Sequence, residues 1–311
     1  MQAVRICDKR IWVEQASRPR RATGFARIRL RLAGICNTDL ELLRGYYGFA
    51  GRPGHEFVGV VEEADSAFWV GKRVVGEINL ACGSCDWCTS GLGRHCPRRT
   101  VLGILRHPGA FAEWLTLPEE NLLEVPASLS DEEAVFCEPV AAACEIQEQL
   151  GRLRGERVAV LGDGKLGLLI AQVLQLGGAQ VHLFGRHAEK MAIAEAVGVR
   201  VGGAGEFDVT VDATGSAAGL ATAVGMTRAR GRVVMKSTVA EPVSLDMAPV
   251  IVKEISLVGS RCGRFAPALR LLAGGKIAVR PMIADRFCLG EAERAFARAA
   301  ERGCLKVLLT P

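Results

Sequence analysis

Hydrophobic and polar positions change their rhythm twice along this chain of 311 residues. Up to about residue 140 the apolar positions fall in short β-type runs cut by glycine and proline: ARIRLRLAG, EFVGVVEE, KRVVGEI and FAEWLTLP. Such runs predict a small, mostly β region with irregular connections. From about 141 the texture changes. RVAVL (157–161) is a continuous, buried-type strand, and QVHLF (180–184), FDVTVDA, GRVVMKS and EISLVGS follow as strands. Between them Leu166 to Leu176, AEKMAIAEAVG and SAAGLATAVGMT read as helices. Strands alternating with helices at this spacing predict an α/β region, a parallel sheet covered on both faces. Past Gly263 the pattern alters again. PALRLLAGGKI is a short helix stopped by Gly274-Gly275, EAERAFARAAERG an amphipathic helix, and LKVLL a closing strand. This tail does not extend the alternating series, and a return to the first region is the economical reading. The expected division is 1–140, 141–264 and 265–311.

Chemistry enters where RVAVL ends. Gly162-Asp163-Gly164-Lys165-Leu166-Gly167 is a G-x-G-x-x-G between a predicted strand and a predicted helix. Inside a βαβ unit of about 30 residues, that context gives the hexapeptide meaning. The first glycine permits the tight turn, the second lets the backbone approach a pyrophosphate, and the third lets helix and strand pack closely. The helix N-terminus, opened by Lys165 and Leu166, then faces the anion. A structural turn without cofactor is the bland alternative. An NAD site carries an acidic residue at the end of the second strand. Here Gly185-Arg186-His187 stands in its place. A glycine makes room for a 2′-phosphate, and an arginine can meet it with a two-pronged charged hydrogen bond. Lys190, one helical turn on, adds charge. The turn therefore predicts NADP in preference to NAD. The rival account has Arg186 stacking on the adenine of NAD.

Composition narrows the rest. The net charge of +5 is mild and favours an anionic cofactor, whereas a nucleic-acid binder shows a denser basic stripe. RPRRATGFARIRLRL, the most basic stretch, reads as a strand with an exposed basic face. No nucleic-acid partner is expected. The start MQAVRICDKRIWVEQ lacks the apolar core of a secretory signal, and no run of about 18 apolar residues could span a membrane. Eleven cysteines without an export signal point to reduced thiols in a cytoplasmic protein, where clustered cysteines more often bind metal than pair.

Four of them, Cys82, Cys85, Cys88 and Cys96, form C-x-x-C-x-x-C-x7-C, too tightly spaced for sensible disulfides. Four thiolates fill a tetrahedral zinc and leave no open position, so such a cage is structural. An iron–sulfur site and free thiols are the alternatives. A catalytic metal belongs elsewhere, and GICNTDLEL with Cys36 and GRPGHEFVGVV with His55 and Glu56 offer one. A cysteine and a histidine from two loops, joined by a carboxylate and a water, make an open zinc site.

In this order GICNTDL, GHEFVGVV, the cysteine loop, GAFAEWLTLP and the glycine turn resemble the zinc-dependent medium-chain alcohol dehydrogenases over essentially the whole chain. The resemblance implies a GroES-like catalytic domain interrupted by a Rossmann domain of doubly wound parallel sheet. It also implies hydride transfer between an alcohol and a nicotinamide. CEPVAAA, with Glu138, is similar to the polyol and sugar dehydrogenase branch. Carried over, Cys36 and His55 are zinc ligands, with Glu56 or Glu138 as the third and Glu138 the favoured direct ligand. Thr38 takes the place of the hydroxyl that accepts the substrate proton, and Asp39 that of the carboxylate orienting the histidine. Thr214 and Gly215 fall where the family passes the cofactor, and Lys306 where a basic residue meets the pyrophosphate. Two zinc ions per chain, a small alcohol or carbonyl substrate and a homodimer or homotetramer built on the Rossmann domains are thereby implied. The chain departs from the family in a trimmed loop around EEADSAFWVGKRV and in Glu41, where some members have a relay histidine. Tyr46 and Tyr47 are candidates for pocket lining or plain packing. The rivals are an NADPH-dependent quinone or enone reductase of the same superfamily and a nucleotide-sensing zinc protein without turnover.

Overall fold

The computed structural model describes residues 1–237 and 242–311. The chain divides into two compact units, Met1–Glu138 with Ile283–Pro311, and Pro139–Met282.

In the first unit a mostly antiparallel sheet runs in the order Leu122–Glu124, Arg73–Gly76, Glu56–Glu63, Phe25–Gly34, Lys306–Thr310 and Ile283–Cys288, with Trp114–Pro118 also paired to Phe25–Gly34. The long strand Phe25–Gly34 alternates as its sequence predicts. Ala26, Ile28, Leu30 and Leu32 point into the core, and Arg29 and Arg31 into solvent. The basic face is not bare. Arg27 pairs with Glu63, and Arg31 Nε lies 2.6 Å from an Asp131 carboxylate oxygen. These two ion pairs offset part of the positive charge on that face. The closing strand Lys306–Thr310 lies antiparallel beside Phe25–Gly34, in the register Leu308 to Gly34. The amphipathic helix Ala292–Ala300 turns Ala295, Phe296 and Ala299 inward, and the Phe296 ring meets Phe111 edge-on at 5.9 Å. Burying a side chain the size of Phe296 contributes about 1.5–3 kcal/mol relative to exposure.

The second unit holds a six-stranded sheet among the described residues. Its order is Arg200–Val201, Gln180–Phe184, Arg157–Leu161, Phe207–Asp212, Thr227–Met235 and Ser256–Gly259, and every pairing is parallel. The strands step outward in both directions from Arg157–Leu161, so the order reverses beside it. Ligands in such sheets bind at that reversal, at the carboxyl ends of the strands. The helix Lys165–Leu176 starts one residue earlier than the apolar spacing indicates.

The unit boundaries fall at 138/139 and 282/283, where the sequence pattern suggests 140/141 and 264/265. The helix Phe265–Ala273 and its continuation stay with the second unit for a physical reason. Gln172, inside Lys165–Leu176, accepts the Ala278 N–H at 2.7 Å and donates to the Ala278 carbonyl at 3.4 Å. Gly263 packs so closely on the Ala141 carbonyl that no side chain fits. Among the described residues no helix is long and apolar enough to cross a membrane.

Candidate functional site

Cys36 follows Phe25–Gly34 and stands in extended conformation before the short helix Asn37–Leu43. Asp39, on the first turn of that helix, reaches back to accept the Cys36 N–H at 2.9 Å and the Gly54 N–H at 3.2 Å. The same buried carboxylate lies 3.4 Å from His55 Nδ1. One aspartate therefore fixes the cysteine's turn, the glycine turn before the histidine and the imidazole itself, and leaves Nε2 for a metal. Such a partner orients a ligating histidine and raises its basicity.

Glu56 opens the strand Glu56–Glu63 opposite Gly34. A Cβ on Gly34 would collide with the Glu56 carboxylate, so this glycine is what admits the acid to the site. Ligand atoms of Cys36, His55 and Glu56 all lie within 4.8 Å of one another. Thr38 Oγ1 is 3.7 Å from Cys36 Sγ. Burial opposes a charge on His55, but Asp39 and then Cys36 outweigh it and hold its pKa well above the usual value. Glu56 Oε1 is buried without a hydrogen-bond partner, and His55 Nδ1 faces the Asp39 carboxylate at 3.4 Å, as an electrostatic contact. A thiol, an imidazole and a carboxylate oxygen lacking a donor suit a borderline cation such as zinc.

Two expectations change here. Glu138, the favoured direct ligand, does not join the trio among the described residues. Strand pairing with Gly34 carries Glu56 into it instead. Glu138 is buried, and its charge acts on Lys306. Lys306, expected at a pyrophosphate, is 1 % exposed and ion-paired with the Glu56 carboxylate. Its Nζ also lies 3.5 Å from the Ile35 carbonyl oxygen. Burial disfavours its charge, yet Glu56 and Cys36 more than compensate and raise its pKa. The strand Lys306–Thr310, beside Phe25–Gly34, delivers it to the cluster of Cys36, His55 and Glu56 rather than to solvent. The sequence reading missed both Gly34 and this role of Lys306. The Tyr46 and Tyr47 rings lie 4.1 Å apart and tilted by 37°, with Tyr47 exposed. Glu41 pairs with Arg44.

The cysteine loop closes as its spacing indicates. Cys82, Cys85, Cys88 and Cys96 converge within 4.8 Å, with the Cys85 and Cys88 sulfurs 3.4 Å apart. All four are free thiols. Hydrogen bonding from the Ser84 backbone pulls the Cys82 thiol down to about 5, and that from the Cys82 backbone lowers Cys96. Burial and the neighbouring Cys85 push the Cys88 thiol the other way, up to about 11, so the backbone favours thiolate at two of the four positions.

In the second unit each glycine of the turn does a separate job. Gly162 sits at φ +113°, and a Cβ there would come 2.5 Å from the Ala213 carbonyl oxygen. A Cβ on Gly167 would strike the Gly162 carbonyl, while Gly164 faces open space. Lys165 and Leu166 begin the helix whose N-terminus follows. Thr214 Oγ1 donates to Asp212 at 2.8 Å, and the Gly215 N–H donates to Ser237 Oγ at 2.9 Å. Gly185 and Arg186 are exposed at the end of Gln180–Phe184. The space over Gly185, expected to receive a phosphate, holds the Asp163 side chain. Lys190 is buried, with Nζ 3.9 Å from Asp163. It faces that carboxylate.

Comparison with known proteins agrees with this geometry. A family model described as the alcohol dehydrogenase GroES-like domain matches residues 22–127, and one described as zinc-binding dehydrogenase matches 200–274. A sorbitol dehydrogenase of Halalkalibacterium halodurans is 29% identical over 96% of this chain and 95% of its own. A structure described as a zinc-binding dehydrogenase of Sinorhizobium meliloti 1021, bound to NADP, is 31% identical with a TM-score of 0.90. It covers 100% of this chain and 99% of that one. An alcohol dehydrogenase of Escherichia coli CFT073 complexed with NADH is 25% identical with a TM-score of 0.91, covering 100% and 99%.

Proposed function

Since the chain belongs to the zinc-dependent medium-chain alcohol dehydrogenases and is an NAD(P)-dependent alcohol oxidoreductase, we propose that it oxidises a secondary alcohol of the polyol or sugar class with NADP. The observation that carries this reading is the buried trio of Cys36, His55 and Glu56 beside the Thr38 hydroxyl. In our reading these three hold the catalytic zinc, with Glu138 close by, and the four-cysteine loop holds a second, structural one. Zinc, when bound, supplies a Lewis acid that polarises the substrate oxygen. Asp39 holds the imidazole in place, and Thr38 receives the alcohol proton. A nicotinamide cofactor, when bound, would supply the hydride acceptor.

Charge favours Glu56 over Glu138 as the ligand. Lys306 cancels the Glu56 charge, so thiolate and carboxylate leave a divalent ion its Lewis acidity. In this reading Glu138 steadies a water or a substrate hydroxyl. NADP preference is supported by the exposed Arg186 and by the sequence Gly185-Arg186-His187 after Gln180–Phe184, where an NAD site would carry an acidic residue of its own. A relative described as a sorbitol dehydrogenase supports the polyol class. The test is cofactor reduction across polyols, sugars and simple secondary alcohols, with and without chelator. Chelator-sensitive oxidation of a secondary alcohol supports the reading. Reduction of quinones or enones that survives chelation would favour the reductase rival, and bound nucleotide without turnover on any substrate the sensing one.

A further inference from the structure

Asp163 is the first variable residue of the glycine turn, and its side chain does not face solvent. It crosses to the end of the neighbouring strand Gln180–Phe184 and is 7% exposed. There one carboxylate oxygen accepts the Arg186 N–H at 2.6 Å and the His187 N–H at 2.7 Å. The same oxygen lies 3.0 Å from His187 Nδ1, and the other lies 3.9 Å from Lys190 Nζ. The contact is shaped from the opposite side as well. A Cβ on Gly185 would stand 2.5 Å from the Asp163 Cβ and 2.6 Å from its Oδ2, so only glycine lets the carboxylate in.

We propose that Asp163 is a positioning residue that fastens the 185–187 turn to the glycine loop and so presents Arg186 to the 2′-phosphate of the cofactor. The inference rests on the NADP reading above. It accounts for an acid where a phosphate is expected. Two backbone N–H groups, His187 and Lys190 already meet this charge, so little of it remains to repel an anion. Charge-assisted bonds to two successive N–H groups also hold the turn more firmly than neutral ones do. The exposed Arg186 side chain then leaves from a fixed backbone, and less freedom is lost when the phosphate is bound.

Two effects of removing Asp163 have opposite signs, which makes the proposal sharp. If the carboxylate acted only as a nearby negative charge, its loss would tighten NADPH. If it positions the turn, its loss weakens NADPH. Dissociation constants of NADPH and NADH, from fluorescence titration of the zinc-loaded protein, separate the two. In Asp163→Ala and Gly185→Ala, NADPH weakens about tenfold more than NADH, the size of one lost charged hydrogen bond. Asp163→Asn, whose amide oxygen still accepts, lies between wild type and Asp163→Ala. The double variant Asp163→Ala with Gly185→Ala is no worse than Asp163→Ala, because both changes break one contact. Unchanged selectivity in all three single variants, or tighter NADPH in Asp163→Ala, overturns the positioning role while the NADP reading stands. A wild type that binds NADH more tightly overturns the NADP reading and takes this inference with it.

Discussion

A buried ammonium beside a carboxylate changes how many anions a metal site can hold. Lys306 does this for Glu56, and the pair is closed off from solvent. Two expected outcomes follow at the level of single side chains. Glu56→Gln loses the catalytic zinc and turnover together, whereas Glu138→Gln keeps its zinc and loses only part of its rate. Metal analysis beside steady-state kinetics reads both, and the reverse pattern would restore Glu138 as the ligand. Lys306→Met leaves the Glu56 charge buried without its partner, and lowers stability by about 3–5 kcal/mol in denaturant titration. An unchanged midpoint would mean that the ion pair is dispensable. Cys36 and His55 stand out in the sequence as candidate metal ligands by residue type, whereas Thr38 and Asp39 are named only through the family resemblance. The Lys306 to Glu56 pair was not legible there. Its members are 250 residues apart, and only the strand register brings them together.

At the scale of elements, two loops show what a local sequence can specify. The glycine turn and the cysteine loop both close as their spacing predicts, since each is built from neighbours in the chain. Cys85→Ser should cost one zinc and lower the thermal midpoint together, because zinc binding to this loop is folding free energy. A variant that keeps its metal and its midpoint would make the loop something other than a zinc cage. Other elements are silent in the sequence. The hairpin of Gln2–Cys7 and Arg10–Gln15 turns at Asp8 and Lys9, both at positive φ, without the glycine or asparagine that marks such turns. The link from Asp163 to the end of Gln180–Phe184 joins two loops, and no periodicity records such a contact.

For the whole molecule, period-two runs, buried pentads and a non-repeating tail were enough to read two units and a returning terminus. The exact point of return was not legible, because it depends on Gln172 holding Ala278. In the second unit the edge strand Ser256–Gly259 and the adjoining helix Ala248–Val252 leave Ile251 71% and Val252 81% exposed. An unpaired strand edge beside exposed apolar side chains is a surface that another chain can cover. We infer a homodimer or homotetramer built on it. Light scattering should give a dimer or tetramer for the wild type and a smaller species for Ile251→Asp with Val252→Asp. A monomeric wild type would contradict this.

Alcohol oxidation is expected to depend on a metal held by Cys36, His55 and Glu56. Wild type and Cys36→Ser, each assayed for zinc per chain, NADPH affinity and alcohol-dependent cofactor reduction, test this dependence most directly. Wild type should hold two zinc ions and turn over, matching its two ligand clusters among the described residues. Cys36→Ser should show one zinc, unchanged NADPH affinity and no turnover. Full turnover by Cys36→Ser, or two zinc ions retained in it, would contradict the account.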